Sequence, residues 1–256
     1  ICGEETALIN ALEGKRANPR AKPPFPQVAG LFGQPTIVNN VETLCNLAGI
    51  FRHGSEWFKG LSPGSDAGTK IYGACGNVVT PGLWELPMGV SVGKLLNEYA
   101  GGVGTGKTLK GLLPGGASTD FLLPEHLDVP MDYDSIANAG SRLGTGGLIV
   151  LDNEHCPVAM VLNLLMFFAQ ESCGWCTPCR DGTPWAVQLL QKIESGDGCS
   201  TDIDQLLQLC DFMWIGKTHC ALAPGAVEPL RSALNYFMDD FQAHLDKKCC
   251  PYRSEL

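Results

Sequence analysis

The spacing of apolar and polar positions divides the first 68 residues into two helical patterns and two irregular stretches. A helical pattern at 6–12 precedes a stretch at 18–26 that is interrupted by prolines and is therefore predicted to lack regular structure. A second helix is predicted to begin after Asn40, a good capping residue, and to run towards Phe58. Turn residues dominate 60–68, which indicates a linker.

The pattern changes to short alternating runs after the linker. Runs at 70–73, 82–86 and 147–151 are typical of β-strands, and one helical pattern at 91–99 lies between them. This combination predicts a small α+β module.

From Pro157 onward, helical periodicity dominates. Pro157, Pro184 and Thr201 are predicted to mark helix starts, and Gly174 and Gly196 to mark helix ends. A final helix is predicted over about 227–245. Four helices in succession predict a bundle.

Composition and charge exclude two classes of partner. The chain has 256 residues, of which 45% are hydrophobic, so it can bury a core. Its longest apolar stretch, 158–169, is shorter than the roughly 20 residues that a membrane span needs. A net charge of −9 without a basic stripe argues against nucleic-acid binding.

The most informative motif is a group of three cysteines, Cys173, Cys176 and Cys179, at Cys-x-x-Cys-x-x-Cys spacing. Three thiolates from one tight loop can bind three irons of a 4Fe–4S cluster, and the fourth iron then needs a remote ligand. Structural zinc is the second interpretation, although zinc sites usually combine two separated Cys-x-x-Cys pairs. Cysteines that serve only in packing, or a disulfide framework, fit less well, because the chain is long and no secretory leader is seen.

Three later cysteines are candidates for the remote ligand. Cys210 shares the apolar stripe of a predicted helix and is interpreted as a small buried hydrophobe. Cys199 lies in a polar loop that is predicted to face solvent. Cys220 lies in an apolar loop between two helical patterns, so we predict that Cys220 completes the site. The neighbouring His219 is interpreted as a packing or hydrogen-bonding residue.

A phosphate-loop motif, Gly101 to Thr108, competes with this interpretation. A phosphate loop follows a strand and begins a helix whose amino end faces the phosphates. Here a helical pattern precedes the glycines, and Pro114 follows Lys107 before a helix could form. We therefore reject an ATPase and predict that Lys107 is a solvated turn residue.

Several motifs together resemble the NADH-binding flavoprotein subunit of respiratory complex I, over nearly the whole chain. They are Ile1-Cys2-Gly3-Glu4-Glu5-Thr6, Lys22-Pro23-Pro24-Phe25-Pro26, Asn39-Asn40-Val41-Glu42-Thr43, Leu113-Pro114-Gly115-Gly116-Ala117-Ser118 and the cysteine triplet with its neighbours. The resemblance implies an α+β multidomain protein. Its expected parts are the C-terminal part of an FMN/NADH-binding α/β domain (1–64), a ubiquitin-like β-grasp domain (65–152), a four-helix 4Fe–4S domain (153–248) and a tail (249–256).

The resemblance also implies cofactor contacts at particular residues. It assigns the cluster to Cys173, Cys176, Cys179 and Cys220. It places FMN against Gly3, Glu4, Glu5, Thr6, Asn39, Asn40 and Thr43, and NADH, the substrate, against Glu5, Lys22 and Phe25. It implies no catalytic side chain.

The implied activity is NADH oxidation, with hydride transfer to FMN and single electrons passing through the cluster. The implied partners are a thioredoxin-like 2Fe–2S subunit and the large iron–sulfur subunit, on the cytoplasmic face of the inner membrane or the matrix side in mitochondria. The family's glycine-rich flavin loop is expected in a separate chain or in a longer form of this one, without which residues 1–60 do not complete a dinucleotide site.

Two alternatives remain open. One is the diaphorase subunit of an NAD-linked formate dehydrogenase or an NAD-reducing hydrogenase, which shares the same module. The other is a non-catalytic, zinc-binding helical module. The Cys249-Cys250 pair is predicted to lie in a solvent-exposed end of the chain that contacts a partner.

Overall fold

The computed structural model describes residue 1 and residues 3–253, and its first helix begins at a side-chain cap. Helix α1 (Glu5–Leu12) follows Glu4, whose carboxylate accepts hydrogen bonds from the backbone N–H groups of Thr6 and Ala7. A carboxylate at this position binds amides that have no partner within the helix and interacts favourably with the helix dipole. The proline-interrupted stretch at 18–26 contains no helix or strand, as predicted.

The second predicted helix is divided in two. Helix α2 (Val41–His53) begins after Asn40, whose side-chain oxygen accepts the backbone N–H of Glu42. The helix stops at Gly54, where φ is 89°, and α3 (Ser55–Lys59) follows. The prediction of one helix towards Phe58 is wrong at this point, because the left-handed backbone of a glycine interrupts the helical hydrogen bonds.

A four-stranded sheet forms the middle of the chain, in the order β2-β1-β4-β3. Strand β1 pairs antiparallel with β2 and parallel with β4, and β3 pairs antiparallel with β4. The sheet is therefore mixed, in agreement with the predicted small α+β module. The strands are β1 (Thr69–Gly76), β2 (Gly82–Pro87), β3 (Leu109–Leu113) and β4 (Gly147–Asp152), with α4 (Val92–Lys94), a π-helical turn (Leu95–Tyr99) and α5 (Tyr133–Asn138) between them.

Strand β3 is absent from the sequence prediction. It carries Gly111 at its centre and a register shift between Leu109 and Gly111, so its alternation of apolar and polar residues is weak. Its place directly after Lys107 and Thr108 shows that the glycine-rich motif leads into a strand and not into a helix. The structural context of a phosphate loop is therefore missing.

A buried tyrosine anchors the core beneath the sheet. Tyr72 of β1 is fully buried, and its hydroxyl donates a hydrogen bond of 2.6 Å to the carbonyl oxygen of Met131. Leu95 and Leu96 of the π-helical turn pack in the same cluster. Because the hydroxyl has a partner, the aromatic ring is buried without an unpaired polar group.

Five helices form the C-terminal part. They are α6 (Pro157–Glu171), α7 (Thr177–Glu194), α8 (Ser200–Phe212), α9 (Leu222–Tyr236) and α10 (Met238–Lys247). Their apolar faces share one core, which also includes Phe121 beside the sheet. The predicted start at Pro157 and the end at Gly196, where φ is 88°, are confirmed.

Two predicted helix limits in this part are wrong. Pro184 lies inside α7, which already begins at Thr177, so Pro184 removes one backbone donor within the helix. The final helix is not continuous, because the backbone departs from helical angles at Phe237 between α9 and α10. Phe237 packs edge-on against Phe121 with 5.1 Å between ring centroids, which fixes the break against the core.

The two adjacent cysteines near the C-terminus have different environments. Cys249 is exposed as predicted, but Cys250 is only 4% exposed, so the prediction of a solvent-facing pair is wrong for Cys250. Lys248 adopts a left-handed conformation with φ 55° and turns the chain back onto the bundle. Residues 254–256 of the predicted tail lie outside the described residues.

Between residues 3 and 253, no helix has the length and apolarity needed to cross a membrane. The division at 64, 152 and 248 stays a prediction.

Candidate metal centre

The cysteine triplet lies on the loop between α6 and α7. Cys173 and Cys176 are partly exposed, whereas Cys179, in the first turn of α7, is 5% exposed. Ser172 fixes the loop, because its hydroxyl lies 3.1 Å from Cys179 Sγ and accepts the backbone N–H of Gly174. Gly174 has φ 71°, a left-handed turn that lets the chain bend between the first two cysteines.

Cys220 faces the triplet from the loop before α9. Burial raises the pKa of the Cys220 thiol, and the nearby Cys173 and Cys176 raise it further. Burial likewise raises the pKa of Cys179 to about 11, and Cys176, Cys220 and Cys173 add to that shift. Cys179 and Cys220 therefore lie near enough to the other predicted ligands for the charges of the thiols to interact. Their assignment as cluster ligands stays a prediction.

The other two candidates for the remote ligand lie elsewhere. Cys210 is 1% exposed within α8, and burial raises its pKa to about 12, as expected of a thiol among apolar side chains. Cys199 precedes α8 and is exposed, with its thiol 3.2 Å from Asp202. Both environments agree with the sequence interpretation.

Two helices begin shortly after predicted ligands. Helix α7 begins at Thr177, directly after Cys176, and α9 begins at Leu222, two residues after Cys220. The backbone N–H of Leu222 also bonds to Cys220. Unpaired N–H groups and the positive end of a helix dipole stabilise negative charge. These groups act against the rise in thiol pKa that burial causes, and iron binding would displace the remaining thiol protons.

A residue that the sequence analysis missed ties the N-terminal segment to this loop. The Arg16 guanidinium donates a hydrogen bond of 3.0 Å from Nη2 to the carbonyl oxygen of Cys173. The charge of Glu4 also reaches the Cys220 thiol. No sequence pattern signals a contact across 157 residues, so only the folded chain shows that the predicted flavin segment borders the cysteines.

Three predicted cofactor residues form an ion-pair cluster. Lys22 Nζ lies 3.3 Å from Glu4 Oε1 and also pairs with Glu5. Although burial raises the pKa of Glu4, hydrogen bonds from Thr6, Ala7 and Lys22 lower it overall. Glu4 is therefore held as a carboxylate at the start of α1.

The remaining predicted cofactor residues differ in exposure. Thr6 is buried, where its hydroxyl bonds to Glu4 and accepts the backbone N–H of Arg20. The exposed members are Gly3, Phe25, Asn39, Asn40 and Thr43. Asn40 uses its side-chain oxygen to cap α2, which leaves its amide group free to donate. The assignment of these residues to FMN or NADH stays a prediction.

Comparison with known proteins identifies the cysteine-bearing helices. Residues 159–244, which include all four cysteines, match the family described as the NADH-ubiquinone oxidoreductase-F iron-sulfur binding region. Over 243 residues the chain is 58% identical to the F subunit of the NADH-quinone oxidoreductase of Salmonella typhimurium and to its counterpart in Escherichia coli. The chain is a homologue of these F subunits.

The alignments to these two relatives cover 95% of the chain and 55% of each relative. The chain therefore spans about half the length of the curated relatives it matches. The resemblance inferred from the motifs is confirmed.

Solved structures support the same fold. The H2-reduced NAD+-reducing NiFe-hydrogenase superposes with a TM-score of 0.84 at 35% identity, covering 98% of this chain and 42% of that chain. The air-oxidised form of such a hydrogenase superposes with a TM-score of 0.85 at 36% identity, covering 95% of this chain and 41% of that chain. The predicted mixed α+β fold class is confirmed.

Proposed function

We propose that this homologue of the NADH-quinone oxidoreductase F subunits is the electron-exit part of an NADH-oxidising flavoprotein, and that Cys173, Cys176, Cys179 and Cys220 ligate its 4Fe–4S cluster. The observation that supports this most directly is that all four cysteines lie in the region that matches the iron–sulfur binding family, where the charges of the thiols interact. A cluster supplies one-electron transfer when it is bound. The chain supplies four thiolates and two helix amino ends that stabilise their charge.

The protein around the cysteines has its own tasks in this proposal. Ser172 holds the loop against Cys179, and Arg16 places positive charge beside Cys173. Hydrogen bonds and charges next to cluster sulfurs tune the reduction potential and orient the ligands. The half-buried position of Cys173, Cys176 and Cys220 leaves a route for electrons towards a partner.

The N-terminal segment is proposed to bind the flavin and the dinucleotide. NADH gives up two electrons as a hydride, whereas a cluster accepts one electron at a time, so FMN is needed between them. Gly3, Glu4, Glu5, Thr6, Asn39, Asn40 and Thr43 are proposed to contact FMN, and Glu5, Lys22 and Phe25 to contact NADH. Glu4 forms an ion pair with Lys22, and its charge also reaches the Cys220 thiol, which supports a short path between the two sites.

Additional protein is proposed to cover the N-terminal segment. Helix α2 exposes one apolar face, on which Val41 and Phe51 are 74% and 86% exposed. Such a face is normally buried against another element. The proposed cover is the rest of the FMN/NADH domain, since the chain spans only about half of its relatives.

The proposed assembly is an NADH-quinone oxidoreductase, which is the name its relatives carry. The thioredoxin-like 2Fe–2S subunit and the large iron–sulfur subunit are the proposed neighbours, on the cytoplasmic face of the inner membrane or the mitochondrial matrix side. A diaphorase role in an NAD-reducing hydrogenase is the second candidate, which the superposition on such hydrogenases favours. Proteins that copurify with the native chain distinguish the two.

Metal and sulfide analysis after anaerobic purification tests the cluster. We expect about four irons and four acid-labile sulfides per chain. Zinc at Cys173, Cys176, Cys179 and Cys220 without sulfide would overturn the proposal in favour of a zinc-binding helical module. NADH-dependent reduction of the iron centre in the native assembly tests the flavoprotein activity separately.

A further inference from the structure

Four buried side chains converge at the C-terminal end of α7. The cysteine triplet lies at the other end of this helix. The four residues are Cys156, Glu194, His244 and Cys250, and their ligand atoms all lie within 4.8 Å of one another. None is more than 8% exposed. Buried charged or titratable groups gathered in this way are costly unless they are paired or bind a metal.

We propose that Cys156, Glu194, His244 and Cys250 bind a structural zinc ion, separate from the iron–sulfur site. Two thiolates, one imidazole and one carboxylate are ligand types that zinc takes in tetrahedral sites. Four protein ligands leave no open position, so the site is structural and not catalytic.

The separations among Cys156, Glu194 and His244 are close to those of a tetrahedral site. Cys156 Sγ lies 3.5 Å from Glu194 Oε2 and 3.4 Å from His244 Nε2, and Glu194 Oε2 lies 3.0 Å from His244 Nε2. Zinc bonds of about 2.0–2.3 Å at tetrahedral angles place ligand atoms about 3.3–3.8 Å apart. Small side-chain adjustments therefore suffice to place an ion at the centre.

The orientation of His244 allows its ring to bind a cation at the centre. Without a metal, a protonated ring would donate from Nε2 to Glu194 instead. His244 Nδ1 lies 2.7 Å from the carbonyl oxygen of Asp240, which can only accept a hydrogen bond, so Nδ1 carries the proton. In the neutral ring, Nε2 then directs a lone pair at the oxygens of Glu194 and the sulfur of Cys156. Acceptors in such contact need a proton or a metal ion between them. A backbone carbonyl that fixes the second ring nitrogen is the usual arrangement around a zinc-bound histidine.

The surroundings offset part of the cost of such a site. Burial and the charge of Glu194 raise the pKa of the Cys156 thiol, and the backbone N–H of Ala159, which donates to its sulfur over 3.3 Å at the start of α6, acts against that rise. Zinc binding would displace the thiol proton. Two thiolates, a carboxylate and a neutral imidazole around Zn²⁺ leave one net negative charge. The Arg253 guanidinium lies 3.2 Å from the other Glu194 oxygen and offsets that charge.

The four ligands come from separate segments. Cys156 lies before α6, Glu194 at the end of α7, His244 within α10 and Cys250 after α10. The zinc ion would therefore fasten the C-terminal segment to the bundle. It would also explain why Cys250 turns inwards although Cys249 next to it is exposed.

Zinc and iron content, measured on the same sample of full chain purified anaerobically without chelator, test the proposal. We expect about one zinc per chain beside the iron. Cys250→Ser and His244→Gln should lower zinc to near zero and retain iron and sulfide. Cys249→Ser, the matched control at the exposed neighbour, should retain both metals, and Cys220→Ala should lose iron but keep zinc.

X-ray absorption at the zinc edge of the wild-type protein decides the case even where a variant fails to fold. We expect two sulfur ligands near about 2.3 Å and two nitrogen or oxygen ligands near about 2.0–2.1 Å. Absence of zinc from the folded wild type, zinc surrounded by four sulfurs, or a Cys156–Cys250 disulfide found by mass spectrometry would each overturn the proposal. Failure of the iron–sulfur proposal would appear in iron and sulfide alone, so the two outcomes are distinct.

Discussion

Lys107 Nζ lies 3.1 Å from Asp152 Oδ2, so the lysine of the phosphate-loop motif forms an ion pair with the acidic residue at the end of β4. In a nucleotide-binding protein these two residue types would hold phosphate and magnesium. Here Lys107 also pairs with Glu154 at 3.0 Å, and Asp152 is buried. The prediction that Lys107 is simply a solvated turn residue is therefore wrong, because it neutralises a buried carboxylate.

Lys107 is expected to have no nucleotide-binding role. The motif leads into β3 without a helix amino end, so no row of backbone N–H groups faces a phosphate. Calorimetry with Mg-ATP should give no binding for either the wild type or Lys107→Ala. Saturable micromolar binding that disappears in Lys107→Ala would restore the ATPase interpretation.

Removal of the Asp152 carboxylate should change the acid sensitivity of folding. Burial raises the pKa of Asp152, but hydrogen bonds from His155, Lys107 and the backbone N–H of Glu154 lower it overall, below the ordinary 3.8. The unfolded chain then binds more protons in acid. The stabilisation is fully present above the ordinary pKa of 3.8 and is lost as the pH falls through the folded-state pKa.

Urea unfolding from about pH 6 to about pH 3 measures this effect as the difference between the wild type and Asp152→Asn. We expect the difference in free energy of unfolding to shrink on the acid side. The cysteine sites are the same in both proteins, so subtraction removes their contribution. Asp128→Asn, outside the buried cluster, is the control. A difference for Asp152→Asn that stays constant across this range would contradict the prediction.

Cys220→Ala should lose or degrade the iron–sulfur cluster. The substitution removes the only proposed ligand outside the triplet and opens the cluster to solvent and oxidation. Cys199→Ala, at an exposed position, is the matched control and should retain iron and sulfide. Cys210→Ala should retain them too, at a packing cost of about 1 kcal/mol. If the Cys220→Ala variant kept an unchanged iron signal, Cys220 would not be a ligand of the cluster.

Gly196→Ala should destabilise the C-terminal segment strongly. A Cβ at Gly196, where φ is 88°, would lie 2.0 Å from the carbonyl oxygen of Lys248. The backbone must move to relieve this clash, so we expect the free energy of unfolding to fall by more than about 2 kcal/mol, as measured by thermal or urea unfolding. Gly216→Ala has a similar φ of 87° but open space, and should cost only about 1 kcal/mol. If both variants lost the same stability, the close approach between Gly196 and Lys248 would have no effect on stability.

Features set by local chemistry could be predicted from the sequence, and features set by long-range packing could not. The spacing of Cys173, Cys176 and Cys179 and the start at Pro157 depend on a few adjacent residues, and both agree with the structure. The predicted helix start at Pro184 is wrong, because packing keeps α7 helical across a residue that usually begins a helix.

The buried position of Cys250 could not be predicted from the sequence either. Its environment depends on Lys248 and Gly196, which lie 52 residues apart and meet only in the fold. Glu194 and His244 did leave a sequence signal, since each interrupts the apolar face of a helix beside Ile193 or Leu245. Together with Cys156, that signal would have indicated a buried polar site.

The hydrogen bond between Arg16 and Cys173 has a consequence for the order of events during synthesis. The two residues are 157 positions apart, and ribosomes add about 5–20 residues per second. Arg16 is therefore added to the chain on the order of 8–30 seconds before its acceptor exists. Cys220 follows another 47 residues later, so the four-cysteine site cannot be complete, and iron delivery cannot finish, before Cys220 is made.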